Sequence, residues 1–206
     1  MIAAVTGTVV RHTRLAPLAV CAALSVLILA APIALGAELD FLDATLALRL
    51  ALVALLTGAA FVLDDPARVT TETLPISARR TTGIRMLVAL APVSVCWAVL
   101  LWLAPYTVAS TAGYPRGGLV IEAFALLAWA WAVAAPAGGT RAGPFLLILT
   151  VALAMLPDRL AFFVSPGAPG YDASRVRWAV LLIAGCVLLA LTSGTSLQGK
   201  ISAKRH

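Results

Sequence analysis

Two charged residues fall inside long apolar runs of this 206-residue chain: Arg49 in TLALRLALVALL and Glu122 in GGLVIEAFALLAW. A charge at membrane depth is costly and points to a pathway, a relay or a pairing partner. Each also has a plainer reading. Arg49 snorkels to lipid phosphate or reaches Asp43, and Glu122 is simply hydrated. Both sit about one helical turn from the same end of their runs, so a mutual ion pair between two helices is a third reading.

The richest polar stretch runs from Asp64 to Arg85, DDPARVTTETLPISARRTTGIR. Asp65 before Pro66 is a helix start, with a carboxylate cap followed by proline at the first helical position. Leu74 before Pro75 is a stop, because the residue preceding proline is pushed out of helical geometry. A short helix is therefore expected over 66–73, with Val69, Thr70 and Thr73 as its contact face and Glu72 offering an acid to a basic partner. Ser77 then caps a second helix through Arg79 and Arg80 into the next apolar run. The plain reading of Arg79 and Arg80 is contact with anionic headgroups. That reading gives no reason for the proline-bracketed helix before them.

Other motifs carry less. Gly194 to Lys200, GTSLQGK, follows most of the phosphate-cradling P-loop pattern, but Ile201 stands where that pattern needs Ser or Thr for magnesium. No strand precedes it, so the chain itself is expected to bind no ATP. Cys21, Cys96 and Cys186 lie singly in apolar runs with no CxxC spacing, and read as small buried residues. No Ser/His/Asp set, HExxH motif or cluster of metal ligands occurs. Catalytic and metal sites are expected to be absent.

The elements that must position these residues are set by composition. The chain is 62% hydrophobic and 12% charged, with mean hydropathy +1.01, whereas a soluble domain is nearer half apolar and a quarter charged. The fold class is therefore an all-α polytopic membrane protein. Six transmembrane helices in a single domain, 1–206, are expected over 15–35, 45–63, 86–105, 118–135, 144–163 and 177–191. The fifth run is short. Apolar character breaks at Pro157-Asp158-Arg159 and resumes as LAFFV. The helix must kink there, or end early and be followed by an interfacial or re-entrant piece. Trp97, Trp102 and Tyr106 are expected at the outer interface, closing the third span.

The net charge of +6 is distributed by the positive-inside rule. Arg11, Arg14, the arginines of 64–85, Arg141 and the tail cations Lys200, Lys204 and Arg205 fall on one side. Arg116, Arg159, Arg175 and Arg177 fall on the other. Both termini are therefore expected in the cytoplasm, facing anionic lipid. No basic patch interleaved with exposed aromatics calls for nucleic acid.

This organisation resembles the membrane-spanning permease subunit of a type-2 ATP-binding-cassette exporter. A short segment, Met1–Arg14, precedes the first span. A bracketed helix lies between spans two and three, and a broken segment lies between spans five and six. The likeness is nearest to actinobacterial-type permeases with Asp64, Asp65 and Pro66 after span two and Arg79-Arg80 before span three. The resemblance implies that Asp64, Asp65, Pro66, Arg68, Val69, Thr70, Glu72, Thr73, Arg79 and Arg80 couple to a separate ATPase subunit, which carries ATP and magnesium. It implies a second permease protomer, identical or related, and a bacterial plasma-membrane location. It also implies outward movement of a cargo, which the apolar composition makes hydrophobic or amphipathic. The chain departs from the family in its weak, short N-terminal helix and small outer loops. The alternative is a non-transporting membrane scaffold or immunity protein that binds a partner through the 64–85 loop.

Overall fold

A computed structural model describes residues 15–64, 78–108, 116–164 and 168–193, with backbone alone at 78–80 and 158. Among the described residues six α-helices follow one another: α1 (Ala16–Ala34), α2 (Phe41–Phe61), α3 (Ala78–Leu103), α4 (Arg116–Ala137), α5 (Gly139–Ala154) and α6 (Tyr171–Thr192). Short 3-10 turns cover Ala104–Thr107 and Asp158–Leu160. The described residues hold no strand; one isolated bridge joins Leu39 to Val108.

Five of the helices are long and apolar enough to cross a membrane. Their outer faces are apolar too: Val20, Leu87 and Ile183 are each more than 60% exposed. Helices apolar all round with no water-facing stripe are built for lipid. The chain is a multi-pass membrane protein. α5 is the exception. Its 16 residues span roughly 24 Å at about 1.5 Å per residue, short of a hydrocarbon core of about 30 Å. It ends at Ala154, before Pro157, so the early-ending form of the fifth segment is the one observed.

The core lies around α2 and α4. Leu48, Leu52, Leu55 and Leu56 of α2 and Leu126, Leu127 and Ala130 of α4 are all buried. Lipid tails are as apolar as leucine, so helices here associate through close approach and hydrogen bonds. Gly58 of α2 supplies the first: a Cβ there would lie 2.6 Å from Cys21 Cβ of α1. Ser25 adds a hydrogen bond at the same seam. Its buried hydroxyl lies 2.8 Å from the Ala51 carbonyl and 2.7 Å from that of Cys21. Between α4 and α6, the Trp129 indole donates to the Leu181 carbonyl at 2.9 Å. Gly185 of α6 sits where a Cβ would come within 3.0 Å of Ala128 Cβ.

Several element boundaries differ from the sequence expectations. α2 starts four residues early, at Phe41, with Asp40 at its cap and Asp43 in the first turn, where a negative charge suits the helix dipole. By contrast, α3 starts at Ala78, as expected for a helix that runs through Arg79 and Arg80 into the third apolar run, and Arg85 lies buried within it. α6 begins at Tyr171, six residues before the expected start at Arg177, so Asp172 and Arg175 are helical rather than part of an outer loop. Trp97 is 7% exposed and sits in the core rather than at an interface, while Trp102 and Tyr106 are exposed and pair at 5.3 Å between ring centroids.

Candidate functional site: an intramembrane ion pair under an aromatic strap

Arg49 and Glu122 meet. Arg49 Nε donates to Glu122 Oε1 at 2.9 Å, and Nη2 lies 3.5 Å from Oε2. α2 carries Arg49 eight residues past Phe41, and α4 carries Glu122 six residues past Arg116. At about 1.5 Å per residue these are depths of roughly 12 Å and 9 Å from the helix starts. Glu122 is fully buried. The hydrated reading of Glu122 therefore does not hold. The earlier helix starts explain why both charges lie deeper than one turn.

The ion pair is roofed by the chain between α5 and α6. Residues 161–164, after the turn at Asp158–Leu160, are not helical, and carbonyls of the turn and of this stretch face side chains of α6. Arg177 donates to the carbonyls of Arg159 and Ala161, at 2.7 and 2.6 Å. Ser174 and the Trp178 indole both donate to Phe162 O. Ser174 and Trp178 are fully buried, so these bonds satisfy backbone acceptors that a helix would otherwise serve. Phe162 meets Trp178 edge to face at 5.2 Å, and Phe163 lies 5.5 Å from the same ring. The Phe163 ring also stacks on the Arg49 guanidinium, 4.2 Å from its carbon to the ring centroid. A cation–π contact contributes from about 0.5 to about 2 kcal/mol, depending on how far it is desolvated. Arg49 is thus held by a carboxylate and an aromatic face.

Sequence reasoning singled out Arg49 and Glu122 and passed over Phe163, Ser174 and Trp178. The signal lay in α6, where Tyr171, Ser174, Arg175 and Trp178 recur at i, i+3, i+4 and i+7. That spacing puts polar and aromatic groups on one helical face.

At the opposite end of the bundle, Asp64 Oδ1 accepts from the backbone N–H of Gly139, the first residue of α5. Gly138, at φ +89°, supplies no side chain to cap that helix, and a carboxylate from the end of α2 takes the role. Gly139 must be small there, because a Cβ would lie 2.6 Å from the Ala60 carbonyl oxygen. Of the residues assigned to partner coupling, Asp64 is the one whose side chain is described. Asp65, Pro66, Arg68, Val69, Thr70, Glu72 and Thr73 lie outside the described residues, as do Met1–Arg14 and the 194–200 motif. Arg79 and Arg80 lie in the first turn of α3.

The cysteines are free, and among the described residues no group of three or more His, Cys, Asp or Glu could hold a metal. Compared with known proteins, the chain matches no family model, no curated protein and no solved structure.

Proposed function

We infer that the chain is the transmembrane permease subunit of an ATP-binding-cassette exporter. It crosses the bacterial plasma membrane with six segments, the fifth made of the short α5 and the chain that follows it, and both termini are in the cytoplasm. A separate ATPase subunit, holding ATP and magnesium, drives it, and a second permease protomer completes the membrane unit. The cargo is hydrophobic or amphipathic.

The observation that supports this reading most is the Asp64–Gly139 hydrogen bond. The polar stretch between α2 and α3 opens on a residue that caps α5, so a push on that stretch would reach α2 and α5 together. α5 in turn leads into the strap over Arg49 and Glu122. A partner closing beneath the 64–85 stretch would therefore act on the intramembrane charges through packed, rigid elements. An ion pair this deep has a functional default reading as well.

The test is co-purification from the native host in mild detergent, with identification of every subunit retained. An ATPase in the complex whose hydrolysis responds to amphipathic compounds is the expected result. The aspartate variant Val69→Asp/Thr73→Asp should keep the protein inserted and abolish that response. A complex with no ATPase would overturn the reading and favour a scaffold.

A further inference from the structure

We propose that Arg175 forms a binding site for an anionic phosphate group at the Leu39–Val108 end of the bundle, independent of the transport reading. Arg49, Arg175 and Arg177 lie near that end, and two of them each hold two acceptor oxygens. Arg49 holds both oxygens of Glu122, and Arg177 donates to two strap carbonyls. Arg175 is different. It lies between α4 and α6, with its Nη1 packed on Gly118, where any Cβ would collide with it. Its Nε is enclosed and has no hydrogen-bond acceptor. Nη2 has one long contact, 3.4 Å to Ser174 Oγ. The guanidinium carbon sits 4.7 Å from the centroid of the Tyr171 ring, which leaves in-plane N–H groups still to be satisfied.

An arginine carries five N–H donors in a planar fork suited to carboxylate or phosphate oxygens. A buried donor without an acceptor costs about 1–3 kcal/mol, so this fork calls for an acceptor. Among the described residues no carboxylate supplies it. Glu122 spends its oxygens on Arg49. Asp172, one turn earlier, is exposed and does not pair with it. The cluster of Arg49, Arg175 and Glu122 therefore keeps one positive charge in excess. Arg175 is the fifth residue of α6 and Gly118 the third of α4, depths of roughly 6 Å and 3 Å from the helix starts, within reach of headgroups at the end of a spanning helix. The Tyr171 hydroxyl is beside the same guanidinium, since both would touch a Cβ on Gly118, and offers a second donor to the anion.

The ligand chemistry is a phosphate oxyanion, from a lipid headgroup or from free phosphate, and the experiment separates the two. Purified full-length protein is placed in nanodiscs of phosphatidylcholine alone or with phosphatidylglycerol, and separately titrated with inorganic phosphate in detergent. Thermal stability and lipid retention by native mass spectrometry are read. Phosphatidylglycerol should raise the melting temperature and stay bound, and Arg175→Gln should lower its affinity by about tenfold or more, the scale of one charge-assisted hydrogen bond. Arg116→Gln, which removes an exposed cation at the same end, should keep the affinity of the parent. If Arg175→Gln fails to fold, Gly118→Ala decides, since its methyl displaces the guanidinium and should bring the same loss. Stabilisation by inorganic phosphate equal to that by the lipid would keep the anion site and assign it to soluble phosphate. An unchanged affinity in the deciding variant, or no response of the parent protein to either anion, would overturn the proposal.

Discussion

Arg49 of α2 donates its Nε hydrogen to Glu122 of α4 across 2.9 Å, with Glu122 wholly buried. The pair joins the two helices that form the centre of the bundle. Its worth is best read from what happens when it is broken. Removing one partner of a buried pair costs about 3–5 kcal/mol, because the other charge is left buried and alone. Arg49→Leu and Glu122→Leu should each lower stability by that order. The double variant should recover most of it, giving strongly non-additive values in a double-mutant cycle. Stability read by tryptophan fluorescence in detergent checks this; additive losses would show that the two side chains act independently.

Topology gives the second prediction. Ala37, between α1 and α2, and Ser193, at the end of α6, lie at opposite ends of the bundle. In a background with Cys21, Cys96 and Cys186 replaced, Ala37→Cys should react with a membrane-impermeant maleimide added to whole cells. Ser193→Cys should react only after the membrane is opened. The reverse pattern would invert the orientation drawn from the arginine bias.

The Asp64 cap can be tested by a graded series. Asp64→Ala removes the acceptor for Gly139 N–H and should cost about 1 kcal/mol, as loss of a helix cap does. Asp64→Asn keeps an acceptor oxygen and should cost less. Hydrogen exchange should accelerate in the first turn of α5 in the alanine variant, with α4 unchanged. Equal exchange in both variants would mean that the contact does not hold α5.

How much of this was legible in the sequence depends on the kind of signal. Long apolar runs place helices well, because bilayer thickness fixes their length, and each observed helix overlaps an expected span. The starts of α2 and α6 were missed because Asp40, Asp43, Asp172 and Arg175 read as loop, whereas carboxylates suit the start of a helix and a long arginine side chain there can reach the headgroups. Arg49 and Glu122 were visible as chemistry, since each is a lone charge in an apolar run. The strap was not. Which side chain serves the Phe162 carbonyl is a three-dimensional fact, and sequence showed only that helical character fails near Pro157. Asp64 was legible as a polar residue after span two, but its partner Gly139 is 75 residues away in the chain.

The strap itself carries the last prediction. Its Phe162 carbonyl accepts from both the Ser174 hydroxyl and the Trp178 indole, the latter at 3.0 Å. Trp178→Phe keeps an aromatic ring against Phe162 and Phe163 and deletes only the N–H donor. One hydrogen bond contributes about 1 kcal/mol net, and Ser174 still serves the carbonyl, so the single variant should be mildly destabilised. Ser174→Ala alone should behave likewise. The two together leave a buried carbonyl with no donor from α6, and their combined cost should exceed the sum of the singles. The strap should then loosen before the helices do. Hydrogen exchange and limited proteolysis should increase over residues 158–164 in the double variant, with α2 and α4 as protected as in the parent. Protection that stays unchanged over 158–164 would mean that aromatic packing, rather than hydrogen bonding, holds the strap over Arg49.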